Sequence, residues 1–251
     1  MTPLPVTVTS GPTGCVRATL NSSPLGPDLV SALASALREA EDTPGVRVFV
    51  IASSTPEFCT GMPLTGPLET DDVLRRLALG RDLLADLVRS PLVTVALVDG
   101  RATGGGVALA AACDYVIATP AASFTLTELL LGLIPAVLLP VVARRTGLQR
   151  AFTLTLTAHP LDAAAAVAAG LADRAATDGE AELRVLLREL GRTVAAATVT
   201  LKRYRLALQD LGATGTAEAE LAEQAMRERL DDPATRARIS GSVSRDNCLS
   251  S

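Results

Sequence analysis

Residues 92–135 read LVTVALVDGRATGGGVALAAACDYVIATPAASFTLTELLLGLIP, and this stretch decides the fold. Its opening, residues 92–98, is an apolar, β-branched run closed by Asp99-Gly100, the pattern of a strand buried on both faces. Three glycines, Gly104-Gly105-Gly106, lead into an apolar, helix-like run over 107–113. Residues 114–118 read as strand again. Strand, glycine loop, helix and strand in that order make a βαβ unit with a right-handed crossover, hence an α/β class with parallel strands.

The glycine loop lies just past the carboxyl end of its strand, where open α/β sheets bind ligands. A glycine run opening a helix aims several unpaired N–H groups, and the positive end of the helix dipole, at one spot. An oxygen becoming an anion is stabilised there. The same glycines could serve only close packing of helix on strand. No Gly-Lys-Ser/Thr follows, which excludes a phosphate-binding P-loop, and the spacing is not that of a dinucleotide fingerprint. A second loop has the same placement: residues 46–52 form a buried strand, followed by Pro56-Glu57-Phe58-Cys59-Thr60-Gly61-Met62-Pro63-Leu64.

Outward from these loops, residues 6–9 and 15–20 alternate around Gly11-Pro12-Thr13-Gly14 and predict a hairpin. Pro27-Asp28 open a helix with Leu29, Leu33 and Leu37 on one face. Residues 71–90 predict another, with Leu74, Leu77, Leu84 and Leu87 at helical spacing. From residue 126 onward nearly everything reads as helix, including 180–197, 201–211 and 217–230.

Composition bounds the rest. The 251 residues are 48% hydrophobic with a formal net charge of −4, enough for one large core and no basic field for nucleic acid. Only Lys202 is a lysine among 23 basic residues. No secretory signal is seen at the N-terminus, and the apolar stretch 129–143 is broken by Gly132, Pro135 and Pro140, so no membrane span is expected. The four cysteines are dispersed, which fits a reducing cytoplasm and no zinc site; one histidine, His159, cannot build a metal centre.

Two blocks of sequence carry a resemblance. Residues 46–64 resemble the first signature of the crotonase (enoyl-CoA hydratase/isomerase) superfamily: a hydrophobic strand, then Phe-Cys-x-Gly-x-x-Leu. Residues 92–135 resemble the second: Gly-Gly-Gly-x-x-Leu-Ala-x-Ala-Cys-Asp, then Ala-Ser-Phe-x-Leu-x-Glu-Leu-x-x-Gly-Leu-Ile-Pro. The resemblance covers roughly residues 6–238. It implies stacked ββα units forming a spiral (residues 1–198) and a C-terminal helical trimerisation region (199–251). It also implies an enzyme that stabilises a thioester enolate, with no cofactor beyond the phosphopantetheine or CoA carrying the substrate.

Carried over residue by residue, the oxyanion-hole amides are the N–H groups of Met62 and Gly105, flanked by Gly61, Gly104 and Gly106. Hydratases of the family use two glutamates. The second is present as Glu128; the first falls at Ala108 and is missing. Glu128 could also be a helix-start residue that complements the dipole. The pattern with Glu128 and without the first glutamate, extended through Pro140 and Arg144-Arg145-Thr146-Gly147, is similar to the dehydratases of polyketide β-branching cassettes. Those act on 3-hydroxy-3-methylglutaryl carried on an acyl carrier protein (ACP); their companion decarboxylases lack the glutamate matching Glu128.

That resemblance implies an acidic carrier protein as partner and a homotrimer or hexamer. Arg144, Arg145 and Lys202 are candidate contacts for the carrier, for CoA phosphates or for a substrate carboxylate. Equally, they could cap a helix end and solvate a helix face. Another crotonase activity on a CoA or ACP thioester (hydratase, isomerase or decarboxylase), and a non-catalytic subunit of the same fold, remain alternatives.

Overall fold

The computed structural model describes residues 4–11, 14–63, 70–210 and 233. Contacts divide the chain into two units, Met1–Arg192 and Thr193–Ser251. In the first, β1 (Val6–Gly11) and β2 (Cys15–Leu20) form the expected hairpin, with Gly11 opposite Cys15 and Val6 opposite Leu20. Helix α1 (Pro27–Asp42) starts on its proline and buries Leu29, Leu33 and Leu37, as their spacing requires. There follow β3 (Val48–Ser53), α2 (Thr70–Arg89), β4 (Val93–Val98), β5 (Arg101–Thr103), α3 (Gly105–Ala112), β6 (Tyr115–Ala118) and β7 (Ser123–Thr125). A 3-10 turn (Glu128–Leu131) leads to α4 (Leu138–Thr146), α5 (Leu148–Thr157), β8 (Leu161–Asp162), α6 (Ala163–Ala168), β9 (Arg174–Ala175) and α7 (Gly179–Gly191). The second unit contains α8 (Ala195–Asp210); the helix expected over 217–230 lies outside the described residues.

One sheet has the order β1-β2-β3-β4-β6-β9 and is parallel except for the β1 edge. A smaller sheet has the order β5-β7-β8. Single parallel bridges extend the smaller layer, joining Pro24 to Gly61 and Cys59 to Ala102. Thus β2, β3, β4 and β6 each run from the large sheet into a short extended segment of the second layer. After the first three of these, a helix returns the chain, giving the repeated ββα unit that the sequence resemblance implies. Helix α3 is buried on all sides, with no amphipathic face, because it lies inside the stack.

The region after residue 126 departs from the helical expectation. Gly132 (φ 73°), Gly147 (φ 79°) and Ala158 (φ 47°) hold left-handed backbone that ends each helical piece, and Gly170 (φ 75°) follows α6. The helix expected over 180–197 stops at Gly191, and α8 starts afresh at Ala195. Strands β5 and β7 escaped the sequence reading because three residues carry no periodicity. Leu74, placed on the apolar face of α2 by spacing, is 56% exposed, while Leu84 and Leu87 are buried.

At Gly106 the stack is tightest: a Cβ there would sit 1.9 Å from the Cys59 carbonyl oxygen. Gly106→Ala must therefore push two main chains apart and is expected to cost about 1–3 kcal/mol. Gly80, within α2, has nothing within 4 Å of its Cβ position. Gly80→Ala is expected to gain about 0.4–1 kcal/mol. Thermal melts of the two variants against the parent check the opposite signs.

Candidate active site

Four distant segments meet through main-chain hydrogen bonds in the second layer. The Thr60 N–H donates to Ser23 O (2.8 Å) and the Leu25 N–H to Gly61 O (2.8 Å). The Thr103 N–H donates to Cys59 O (3.0 Å), its hydroxyl to Thr60 O (3.0 Å), and the Gly104 N–H to Thr125 O (2.9 Å). This ladder sets Gly61-Met62 beside Gly104-Gly105, and both beside the Thr127-Glu128 turn. A Cβ on Gly61 would lie 2.8 Å from the Gly105 nitrogen, and one on Gly105 would lie 3.7 Å from the Met62 nitrogen. The two N–H groups are thus neighbours, and no acceptor among the described residues takes either one.

These residues open into a cavity of about 420 Å³. Gly61, Met62, Gly104, Gly105 and Glu128 line it, together with one face of α2 and residues 133–138. Its walls are otherwise almost wholly apolar. Glu128 is the one carboxyl group among its described lining residues. A Cβ on Gly104, whose φ is 50°, would fall 2.6 Å from Glu128 Oε1, so only glycine leaves room for this carboxyl. Glu128 Oε2 is buried and has no hydrogen-bond partner among the described residues. Burial raises the Glu128 pKa above the ordinary carboxylate value, and nearby main-chain N–H groups of Glu128 and Thr127 oppose the rise in part. Cys59 lies in the same ladder, but burial pushes its thiol up to about 11. It stays protonated near neutral pH and is no nucleophile.

The other expected site residues are not among those lining the cavity. Gly106 faces Cys59 and is not among the residues lining the cavity. Arg144 and Arg145 sit in the last turn of α4 and do not line it either. Arg145 donates to the Cys113 carbonyl (2.8 Å) and forms an ion pair with Asp173, so its guanidinium ties α4 to the segment after α6. Lys202 belongs to α8 of the second unit and is buried. Ala108, where the first family glutamate would stand, is fully buried within α3.

The sequence reading missed Arg76. It lines the cavity from α2 together with Val73, Leu77, Gly80 and Leu84. The signal was available: a charge at i+3 from Val73, inside an apolar stripe at helical spacing. Among the described residues, no group of three or more His, Cys, Asp or Glu side chains could hold a metal ion, and no helix is long and apolar enough to cross a membrane.

Stacked ββα units, with two unclaimed main-chain N–H groups facing an apolar cavity, are the framework of an acyl-thioester enzyme. Residues 17–232 match the family described as enoyl-CoA hydratase/isomerase, and the chain belongs to that family. The bacillaene synthase dehydratase PksH of Bacillus subtilis is 31% identical over 195 residues, 74% of this chain and 73% of that protein. The enoyl-CoA hydratase AKT6-1 of Alternaria alternata is 35% identical over 181 residues, 70% of this chain and 60% of its own length. The crystal structure of enoyl-CoA hydratase from Mycobacterium smegmatis superposes with a TM-score of 0.88 at 25% identity, covering 97% of each chain.

The raised Glu128 pKa fixes a sign for stability. Burial penalises the ionised carboxyl more in the folded chain than in the unfolded one. Its stabilising contribution is present in full below the unfolded carboxylate pKa and is lost as pH rises through the higher folded value. Glu128→Gln cannot ionise, so it is expected to melt above the parent near neutral pH, with the gap closing in acid. Calorimetry at both pH values reads this directly; a pH-independent gap would contradict burial as its source.

Proposed function

We propose that the protein dehydrates 3-hydroxy-3-methylglutaryl-ACP to 3-methylglutaconyl-ACP in polyketide β-branching. The observation that carries this reading is that Glu128 is the one carboxyl group among the cavity's described lining residues, on the same wall as the Met62 and Gly105 N–H groups. A hydratase of the two-glutamate type holds its water between two carboxylates, and Ala108 removes one. Elimination of a tertiary hydroxyl asks less, because one group can serve as base and then as acid. The similarity to a protein named a bacillaene synthase dehydratase supports the same direction.

In this mechanism the thioester oxygen accepts hydrogen bonds from the N–H groups of Met62 and Gly105. The Glu128 carboxylate removes a proton from C2, and the electron pair moves onto the thioester oxygen as an enolate. The enolate then collapses to form the C2=C3 double bond. The C3–O bond breaks, and Glu128 returns its proton to the departing hydroxyl, which leaves as water. Glutamate ends as it began, and no redox change occurs. A raised carboxyl pKa suits this double role, since it brings base and acid strength closer to neutral pH. The oxyanion donors stabilise the developing charge without reorganising, each contributing about 2.7–4 kcal/mol.

The carrier protein would deliver its pantetheine arm to the cavity mouth, and basic side chains outside the cavity, Arg144 among them, would meet its acidic surface. The reading also includes a cytoplasmic enzyme assembled as a trimer or hexamer. Ala108 equally favours a second reading, a family member acting on a CoA thioester with Glu128 alone.

Intact-mass analysis of 3-hydroxy-3-methylglutaryl-ACP incubated with the protein tests the proposal. Loss of one water is expected, slowed about 10²–10⁴-fold by Glu128→Gln. Met62→Pro, which deletes one oxyanion N–H, is expected to slow it about 10²–10³-fold. Turnover of the CoA ester with none of the carrier-bound substrate would favour the second reading. Loss of CO₂ from methylglutaconyl-ACP would instead place the protein among decarboxylases.

A further inference from the structure

We propose that Arg76 binds a carboxylate at the far end of the acyl group, so that the cavity selects dicarboxylic acyl thioesters. The inference rests on the acyl-thioester reading of the cavity and adds the residue that recognises the substrate class.

Three buried side-chain polar atoms lack a hydrogen-bond partner among the described residues: Arg76 Nε, Glu128 Oε2 and Arg145 Nε. The first two belong to residues that line the same cavity. Arg145 is held by the Cys113 carbonyl and by Asp173, away from it. Arg76 is therefore the one cation among the described residues of the cavity wall, opposite in charge to any acid that enters.

Its placement is not that of a solvated surface arginine. The preceding residue, Arg75, has a side chain 70% exposed, whereas that of Arg76 is 32% exposed. One helical turn earlier, Asp72 receives a 2.5 Å ion pair from one terminal nitrogen of Arg76 and also contacts Arg75 at 3.4 Å. That pairing fixes the guanidinium plane on the helix; Nε is buried, so the donors open to a ligand are the terminal N–H groups that Asp72 does not use. One turn later comes Gly80, also on the cavity wall, where a Cβ would meet nothing within 4 Å. Arg76 and Gly80 thus line the same cavity from successive turns of α2, with the guanidinium held toward Asp72.

The guanidinium donors that Asp72 does not use identify what the cavity takes at this end. The thioester carbonyl is placed by Met62 and Gly105, and the pantetheine arm beside it is neutral. A plain hydrocarbon acyl chain would displace water from around Arg76 and leave its donors unpaired, an expensive outcome in an apolar cavity. An acyl chain ending in a carboxylate supplies the missing acceptor through a charge-assisted pair. Asp72 acts here as a positioning residue, holding the fork that Arg76 presents.

The test needs binding and no turnover. Glutaryl-pantetheine and valeryl-pantetheine have the same five-carbon acyl chain, lack the 3-hydroxyl and carry no phosphate. The wild-type protein is expected to bind the glutaryl compound about 10- to 100-fold more tightly by calorimetry, the range of a charge-assisted hydrogen bond. Arg76→Gln should erase the preference while keeping valeryl affinity, which also reports an intact cavity. Arg76→Lys, which keeps the charge without the planar fork, should retain only part of it. Equal wild-type affinities overturn the proposal, as does an undiminished preference in either variant. A carboxylate preference without dehydration would sink the proposed reaction and leave Arg76 in its role. Dehydration without that preference would do the reverse.

Discussion

The close approach of main chain at Cys59–Gly61 to main chain at Thr103–Gly106 is the constraint on which the cavity depends. A Cβ on Gly106 would fall inside the Cys59 carbonyl, and one on Gly61 would crowd the Gly105 nitrogen. Only residues without side chains allow two loops from different ββα units to share one layer at this distance. Once they do, the ladder from Ser23 through Thr125 follows, each loop lending carbonyls to the next. The Met62 and Gly105 N–H groups at its edge meet no carbonyl among the described residues. Unpaired donors at that edge are what an acyl oxygen requires.

The electrostatics of the cavity follow from its walls. Because those walls are apolar, a carboxyl group among them is costly to ionise, and the Glu128 pKa rises. The same surroundings strengthen every interaction an entering charge makes. Glu128 and Arg76 are thus two polar features in an apolar space, one suited to moving a proton and one to gripping an anion. Ala108 matters in the same terms. It is fully buried, so the position that would hold a second carboxylate is occupied by core packing.

Helical periodicity worked where a helix has one buried face, as α1 shows with Leu29, Leu33 and Leu37. It has no face to mark in α3, which is buried all round and reads as helix from its apolar run alone, and it failed beyond residue 126, where left-handed caps at Gly132, Gly147 and Ala158 cut one helical run into pieces. It also misplaced Leu74, since a helix that lines a cavity divides its apolar residues between core, cavity and solvent. Arg144 and Arg145 read from their charge either as ligand contacts or as the close of a helix. For Arg145, the structure assigns the guanidinium to Asp173 and the Cys113 carbonyl, partners more than 20 residues distant in the chain.

By itself the sequence determined the α/β class, the family blocks at residues 46–64 and 92–135, the glycines that permit close main-chain approach and the presence of Glu128 without its usual companion. These are local properties: hydrophobic runs, residues without Cβ atoms, and the identity of one side chain. Tertiary structure alone decided which N–H groups remain unpaired, how far Glu128 is desolvated, and that Arg76 faces the cavity while Arg145 does not. Those outcomes depend on which carbonyl, wall or carboxylate a group meets across the fold; helical spacing put Arg76 on the Val73 face of α2, but only the packing of that face makes it a cavity wall.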